Sequence, residues 1–127
     1  MIKFEDIISP NDLEIREKNL IIFDDCMNNK NQEIIKKYFS KGRHSNVNFI
    51  YLSQSFFELD RKTIRGTCNI FILFKLPRKD MSLIHQDLLS NTIEKEDFDI
   101  LINNHYKEKY RYLVYNKDED SITKNLF

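Results

Sequence analysis

Glycine is scarce in this sequence. Two occur in 127 residues, Gly42 in SKGRHS and Gly66 in IRGTCN. Neither fits G-x-x-x-x-G-K-[ST], so these residues contain no glycine-rich nest for phosphates. Proline also occurs only twice, which leaves few sharp turns. The two cysteines, Cys26 and Cys68, have no metal-ligand spacing and no partner set. That excludes structural zinc and a disulfide framework, and reads as a reduced, intracellular protein, cytoplasmic or nuclear. No apolar stretch approaches membrane-spanning length, and MIKFEDIISP lacks the core of a signal peptide, so no membrane partner is expected. Excess charge is missing as well. Lys+Arg and Asp+Glu both number 20, so any attraction to a polyanion has to come from local patches.

What is present is a series of short apolar runs: Leu20 to Phe23, Val47 to Leu52, Ile70 to Phe74 and Tyr112 to Tyr115. Continuous runs of this length suit strands covered on both faces, as in parallel sheets. Between the first two, Ile34, Ile35, Tyr38 and Phe39 recur at helical spacing, with Asn28 or Asn29 to cap the start and Gly42 to end it. A short helix is expected near Asp60 to Arg65. Two more follow, one with Met81, Ile84, Leu88 and Leu89 on one face and one with Ile93, Phe98, Ile100, Leu101 and Tyr106 inward. Strand, helix and strand in alternation predict an α/β fold, a mostly parallel sheet with crossover helices, forming one domain over residues 1–127. The Tyr110 to Tyr115 run suits an antiparallel edge strand, Met1 to Ile7 suits an additional strand, and Lys117 to Asp120 suits a solvated turn or a fraying tail.

In an open parallel sheet, ligands gather beyond the carboxyl ends of the strands. The first run ends in Asp24-Asp25, the second in Ser53-Gln54-Ser55, and the third in Lys75 followed by Pro77 to Asp80. Parallel strands would place these tips along one edge, where two acids and an amide meet. An apolar strand ending in aspartate is the Walker B pattern: the first acid helps to hold Mg²⁺ through its water shell, and a neighbouring acid orients the attacking water. By position Asp24 takes the metal role and Asp25 the water role. Gln54 can donate and accept at once, which suits a group that reports on a phosphate. An acidic strand-end turn is the plain alternative for Asp24 and Asp25 taken singly.

The three blocks NLIIFDDCM, YFSKGRHSNVNFIYLSQSFF and TIRGTCNIFILFKLPRKD together resemble the FtsK–HerA branch of P-loop ATPases, in particular the DNA-packaging ATPases of poxviruses, other large DNA viruses and Polinton-type elements. The resemblance covers about Asn19 to Asp80. It implies an incomplete P-loop NTPase (ASCE) core, the Walker B-to-C-terminal half, lacking the Walker A strand and loop. It further implies Asp24 and Asp25 as Walker B acids, Gln54 as sensor glutamine, and Arg43 or Arg65 as an arginine acting on a neighbouring subunit's nucleotide. Plain surface solvation is the stronger competing reading for both arginines.

Mg²⁺ and ATP follow only with a P-loop supplied from elsewhere, by missing sequence or by a partner. The function implied is part of an ATP-driven double-stranded DNA packaging or translocation motor, located in a viral factory if the source is viral. The partners implied are further copies of the chain or a complementary ATPase half. A fragment, a decayed copy and one half of a two-chain enzyme are equally compatible with the sequence. The alternative is a non-catalytic protein- or DNA-binding module on the same scaffold. The basic groups Lys36, Lys37, Lys41 and Arg43, then Arg61, Lys62 and Arg65, then Lys75, Arg78 and Lys79 are where DNA contact would fall, or else ordinary solvated faces.

Overall fold

The computed structural model describes residues 18–26, 32–41 and 46–124. The chain divides into two compact units, Met1–Thr67 and Cys68–Phe127.

In the first unit, β1 (Asn19–Asp24) and β2 (Val47–Leu52) pair in parallel, with Asn19 opposite Val47 and Asp24 opposite Leu52. Helix α1 (Gln32–Lys41) makes the crossover. It carries Glu33 in its first turn and Lys41 in its last, both favourable to the helix dipole. Its buried stripe of Ile35, Tyr38 and Phe39 falls at the spacing that brings side chains to one face. These residues meet Phe23 and Val47, and the contact is largely aromatic: Phe39 lies 4.4 Å from Phe49 and Phe23 lies 5.7 Å from Tyr38, centroid to centroid. Tilted pairs at such distances add about 0.5–1.5 kcal/mol each beyond simple burial.

The expected short helix is a single π-turn, Arg61–Arg65. The Asp60 carbonyl accepts from the backbone N–H of both Ile64 and Arg65, at 3.1 and 3.0 Å. The Asp60 carboxylate accepts from Thr63 N–H at 2.6 Å and lies 3.8 Å from Lys36 Nζ, tying the turn to α1.

The second unit is built on an antiparallel sheet in the order β3 (Ile70–Phe74), β4 (Tyr112–Asn116), β5 (Ser121–Lys124). Helix α2 (Arg78–Ile84) runs into a π-turn at His85–Leu89, and α3 (Lys95–His105) follows. Phe98, Ile84, Leu89 and Leu113 are almost completely buried. The Tyr106 hydroxyl donates to Leu73 O at 2.6 Å, and burial pushes its pKa up to about 12.

Several expectations change. Among the described residues the sheet is not mostly parallel: only β1 and β2 run that way, and β3 takes β4 as an antiparallel partner. Aromatic pairs lie across that ladder, Phe71 with Tyr115 and Phe74 with Tyr112. The fourth run is the centre of its sheet rather than an edge, because β5 pairs on its far side. Residues 117–120 form the β4–β5 turn. The apolar runs are not covered on both faces. Leu20, Ile22, Ile50 and Leu52 are 46–60% exposed, as are Ile70, Ile72 and Phe74 to a similar degree, while their neighbours in sequence point inward. Ile100 faces solvent, not the core. The expected strand at Met1 to Ile7, the Asn28 or Asn29 cap and the Gly42 stop lie outside the described residues.

Candidate functional site at the tips of the parallel strands

The parallel pairing of β1 with β2 brings Asp24, Asp25 and Gln54 to one rim of the first unit. Asp24 is the last residue of β1 and is exposed. It lies on the same side of the strand as Leu20 and Ile22, because side chains alternate. Asp25 then leaves the strand with φ 46°, in the left-handed region. Aspartate enters that region more readily than most side chains, since its short carboxylate bonds locally. Its backbone N–H still donates to Leu52 O at 3.2 Å, so the turn stays tied to β2. From there its carboxylate accepts a hydrogen bond from Gln54 Nε2 at 3.4 Å, long for such a bond.

Two further groups at this rim have hydrogen-bonding roles that the sequence alone does not assign. Ser53 Oγ donates to Ser55 O at 2.8 Å and accepts from Ser55 N–H at 3.2 Å, closing a small turn around Gln54. A serine two residues before a polar residue at a strand end signals such a turn. Cys26 Sγ donates to Asp24 O at 3.3 Å. Its thiol is pushed up, first by burial and then by the negative charges of Asp24 and Asp25, so it stays protonated.

The other candidates are placed differently. Arg65 is the last residue of the π-turn Arg61–Arg65, downstream of Gln54. Its Nε donates to Leu59 O at 3.1 Å and its guanidinium lies 4.8 Å from the centre of the buried Phe56 ring. Arg43 lies outside the described residues, as does His44. Lys75 and Pro77 to Asp80 follow β3 in the second unit. His85 and His105 serve the fold, bonding through Nε2 to Ile93 O and Tyr112 O at 2.8 and 2.9 Å.

Two adjacent, exposed carboxylates offer hard oxygen donors, which suit Mg²⁺ held through its water shell. Among the described residues no group of three His, Cys, Asp or Glu side chains could hold a metal. Among the described residues, Asp24 and Asp25 would fill only part of the coordination shell of such an ion and leave the rest to water or to the oxygens of a bound phosphate. Also among the described residues, no helix is long and apolar enough to cross a membrane.

No family model matches the chain, and no curated protein matches it. Solved structures do. The genome packaging NTPase B204 from Sulfolobus turreted icosahedral virus 2, in complex with AMP, superposes with a TM-score of 0.63 at 15% identity, covering 85% of this chain and 52% of that one. The same protein in complex with AMPPCP gives a TM-score of 0.63 at 15% identity, over 85% and 54% of the two chains. B204, the DNA-packaging ATPase from Sulfolobus Turreted Icosahedral Virus, gives 0.64 at 15% identity, over 85% and 51%. The likeness is one of fold: a mixed α/β chain similar to viral genome-packaging NTPases, spanning about half their length.

Proposed function

We propose that this chain supplies the Walker B and sensor portion of an ATP-driven motor that packages or translocates double-stranded DNA. The observation that carries the reading is the hydrogen bond from Gln54 to Asp25 across the tips of two adjacent parallel strands. The fold likeness to packaging NTPases supports it.

In this reading the phosphate-cradling P-loop comes from sequence beyond these residues or from a partner. Mg²⁺, when bound with ATP, supplies positive charge to the phosphate oxygens. Asp24 would be the residue that holds the ion. Asp25 accepts a proton from, or orients, the attacking water. Gln54, hydrogen-bonded to Asp25 and held in the Ser53–Ser55 turn, links loss of the terminal phosphate to a change at the β2 tip. Arg43 is the candidate for acting on a neighbouring copy. Arg65 would first have to leave Phe56 and Leu59. Double-stranded DNA, further copies of the chain or a complementary ATPase half are the proposed partners, in an intracellular setting.

The test is Mg-ATP hydrolysis by the chain produced together with the reading frame that adjoins it in its source genome. Asp25→Asn is expected to lower turnover by at least about 100-fold while nucleotide affinity holds. Unchanged turnover, or no hydrolysis by the unmodified pair, overturns the reading.

A second reading, a non-catalytic module, is favoured by the half-exposed Leu20, Ile22, Ile50 and Leu52. A bare apolar sheet face of this kind marks an interaction surface. It predicts that Asp24→Asn and Asp25→Asn leave partner binding unchanged.

A further inference from the structure

The turn between α3 and β4 carries a surface that the strand-tip site does not use. Its sequence is Lys107-Glu108-Lys109-Tyr110-Arg111. Tyr110 is 91% exposed, and its backbone sits at φ 62°. A bulky side chain in the left-handed region is an outlier that asks for a reason. Full exposure of an aromatic ring forgoes the burial that normally repays its presence. Cations stand on either side of it in sequence. Lys107 and Lys109 are exposed and have no partner among the described residues, while Arg111 pairs with Glu108.

Beside this turn lies a shallow cleft of about 300 Å³ lined by Asn104, His105, Glu108, Arg111 and Lys124. The turn segment and the cleft lining together carry four cations, Lys107, Lys109, Arg111 and Lys124, and one acid, Glu108. In a chain with no net charge, this is a local excess of positive charge. An exposed aromatic flanked by cations is the arrangement that stacks an unpaired base while neutralising its phosphates. Bases in a duplex are already stacked and offer such a ring no face.

We infer that the Tyr110 turn and the adjoining cleft form a binding surface for single-stranded nucleic acid, with Tyr110 stacking on a base and Lys107, Lys109 and Lys124 contacting phosphates. The surface rests on the second unit alone and does not depend on the ATPase reading.

The test is fluorescence anisotropy of a short labelled oligothymidylate with the full chain. Binding is expected at low salt, with log affinity falling against log salt at a slope near −2, about 0.7 per phosphate contacted. Tyr110→Ala is expected to weaken binding about tenfold, and Tyr110→Phe to restore it. The pair Lys107→Gln and Lys109→Gln is expected to reduce the magnitude of the slope by about 1.4.

Because the chain has no tryptophan, Tyr110→Trp places one reporter at the turn. Its emission is expected to be quenched when the oligonucleotide binds. Absence of binding, absence of quenching, or an unchanged affinity of Tyr110→Ala overturns the inference. So does a duplex or polyglutamate that binds as tightly as the single strand. None of these outcomes bears on ATP hydrolysis.

Discussion

Asp25 and Tyr110 both occupy left-handed backbone, and the two differ in what they gain. Asp25 gains a bond from Gln54 and keeps its N–H on Leu52 O. The Tyr110 ring stands in solvent. Glycine has no Cβ to clash at such an angle, so Tyr110→Gly is expected to raise stability by about 0.5–1 kcal/mol while weakening oligonucleotide binding about tenfold, as Tyr110→Ala does. Urea denaturation checks the first expectation. A fall in stability would mean that the ring contributes to the fold.

The identities of Asp24, Asp25 and Gln54 were legible as a cluster, because strand tips in a parallel pair must share an edge. The left-handed turn at Asp25 was not, since nothing in FDDCM distinguishes a carboxylate that ends a strand from one that reverses direction. Arg65 was legible as a cation near a strand. Its engagement with Phe56 and Leu59 depends on how residues 56–60 fold back, which no local pattern encodes.

At the scale of elements, Asp60 shows how one side chain fixes a connection. It accepts from Thr63, starts the π-turn and lies near Lys36 of α1. Asp60→Ala is expected to cost about 1 kcal/mol, the usual loss for an N-cap. The Thr63 N–H, followed by Lys36, holds the Asp60 carboxyl below the ordinary carboxylate range. Its folded pKa is thus lower than its unfolded one. The stabilisation is fully present above the unfolded value near 3.8 and is lost as pH falls through the folded value. The difference in unfolding free energy between the natural chain and Asp60→Asn is therefore expected to shrink as pH falls below the unfolded value near 3.8. A difference that stayed constant would show that the charge plays no part.

The elements themselves were largely legible. The Ile34, Ile35, Tyr38, Phe39 spacing gave α1, and all four apolar runs became strands. The partners were less so, because hydrophobic runs specify strands without specifying direction. Only the crossing of Phe71 and Phe74 with Tyr115 and Tyr112 makes the β3–β4 choice intelligible. Strand β5, with Ser121 and Thr123 among its four residues, carries too little apolar signal to distinguish it from a tail.

For the whole molecule, charge neutrality and bare apolar faces act together. The chain's pI is near 6.8, so near neutral pH copies do not repel one another. Leu20, Ile22, Ile50 and Leu52 then present a continuous apolar surface across β1 and β2. Ile22→Lys combined with Ile50→Glu is expected to reduce self-association at neutral pH, as read by light scattering. The double variant should keep the circular-dichroism spectrum of the natural chain, because both side chains point away from the core. Equal scattering would place the cause of association on another surface.

The antiparallel sheet also has consequences for the order in which the chain assembles. The β4–β5 hairpin joins neighbours across a four-residue turn and can close within microseconds, whereas β3 must wait until both α2 and α3 have been laid down before it meets β4. The parallel pair has the same handicap, since α1 separates its strands. Loop closure therefore sets the pace, and the hairpin at the chain's far end offers the earliest template on which the second unit can condense.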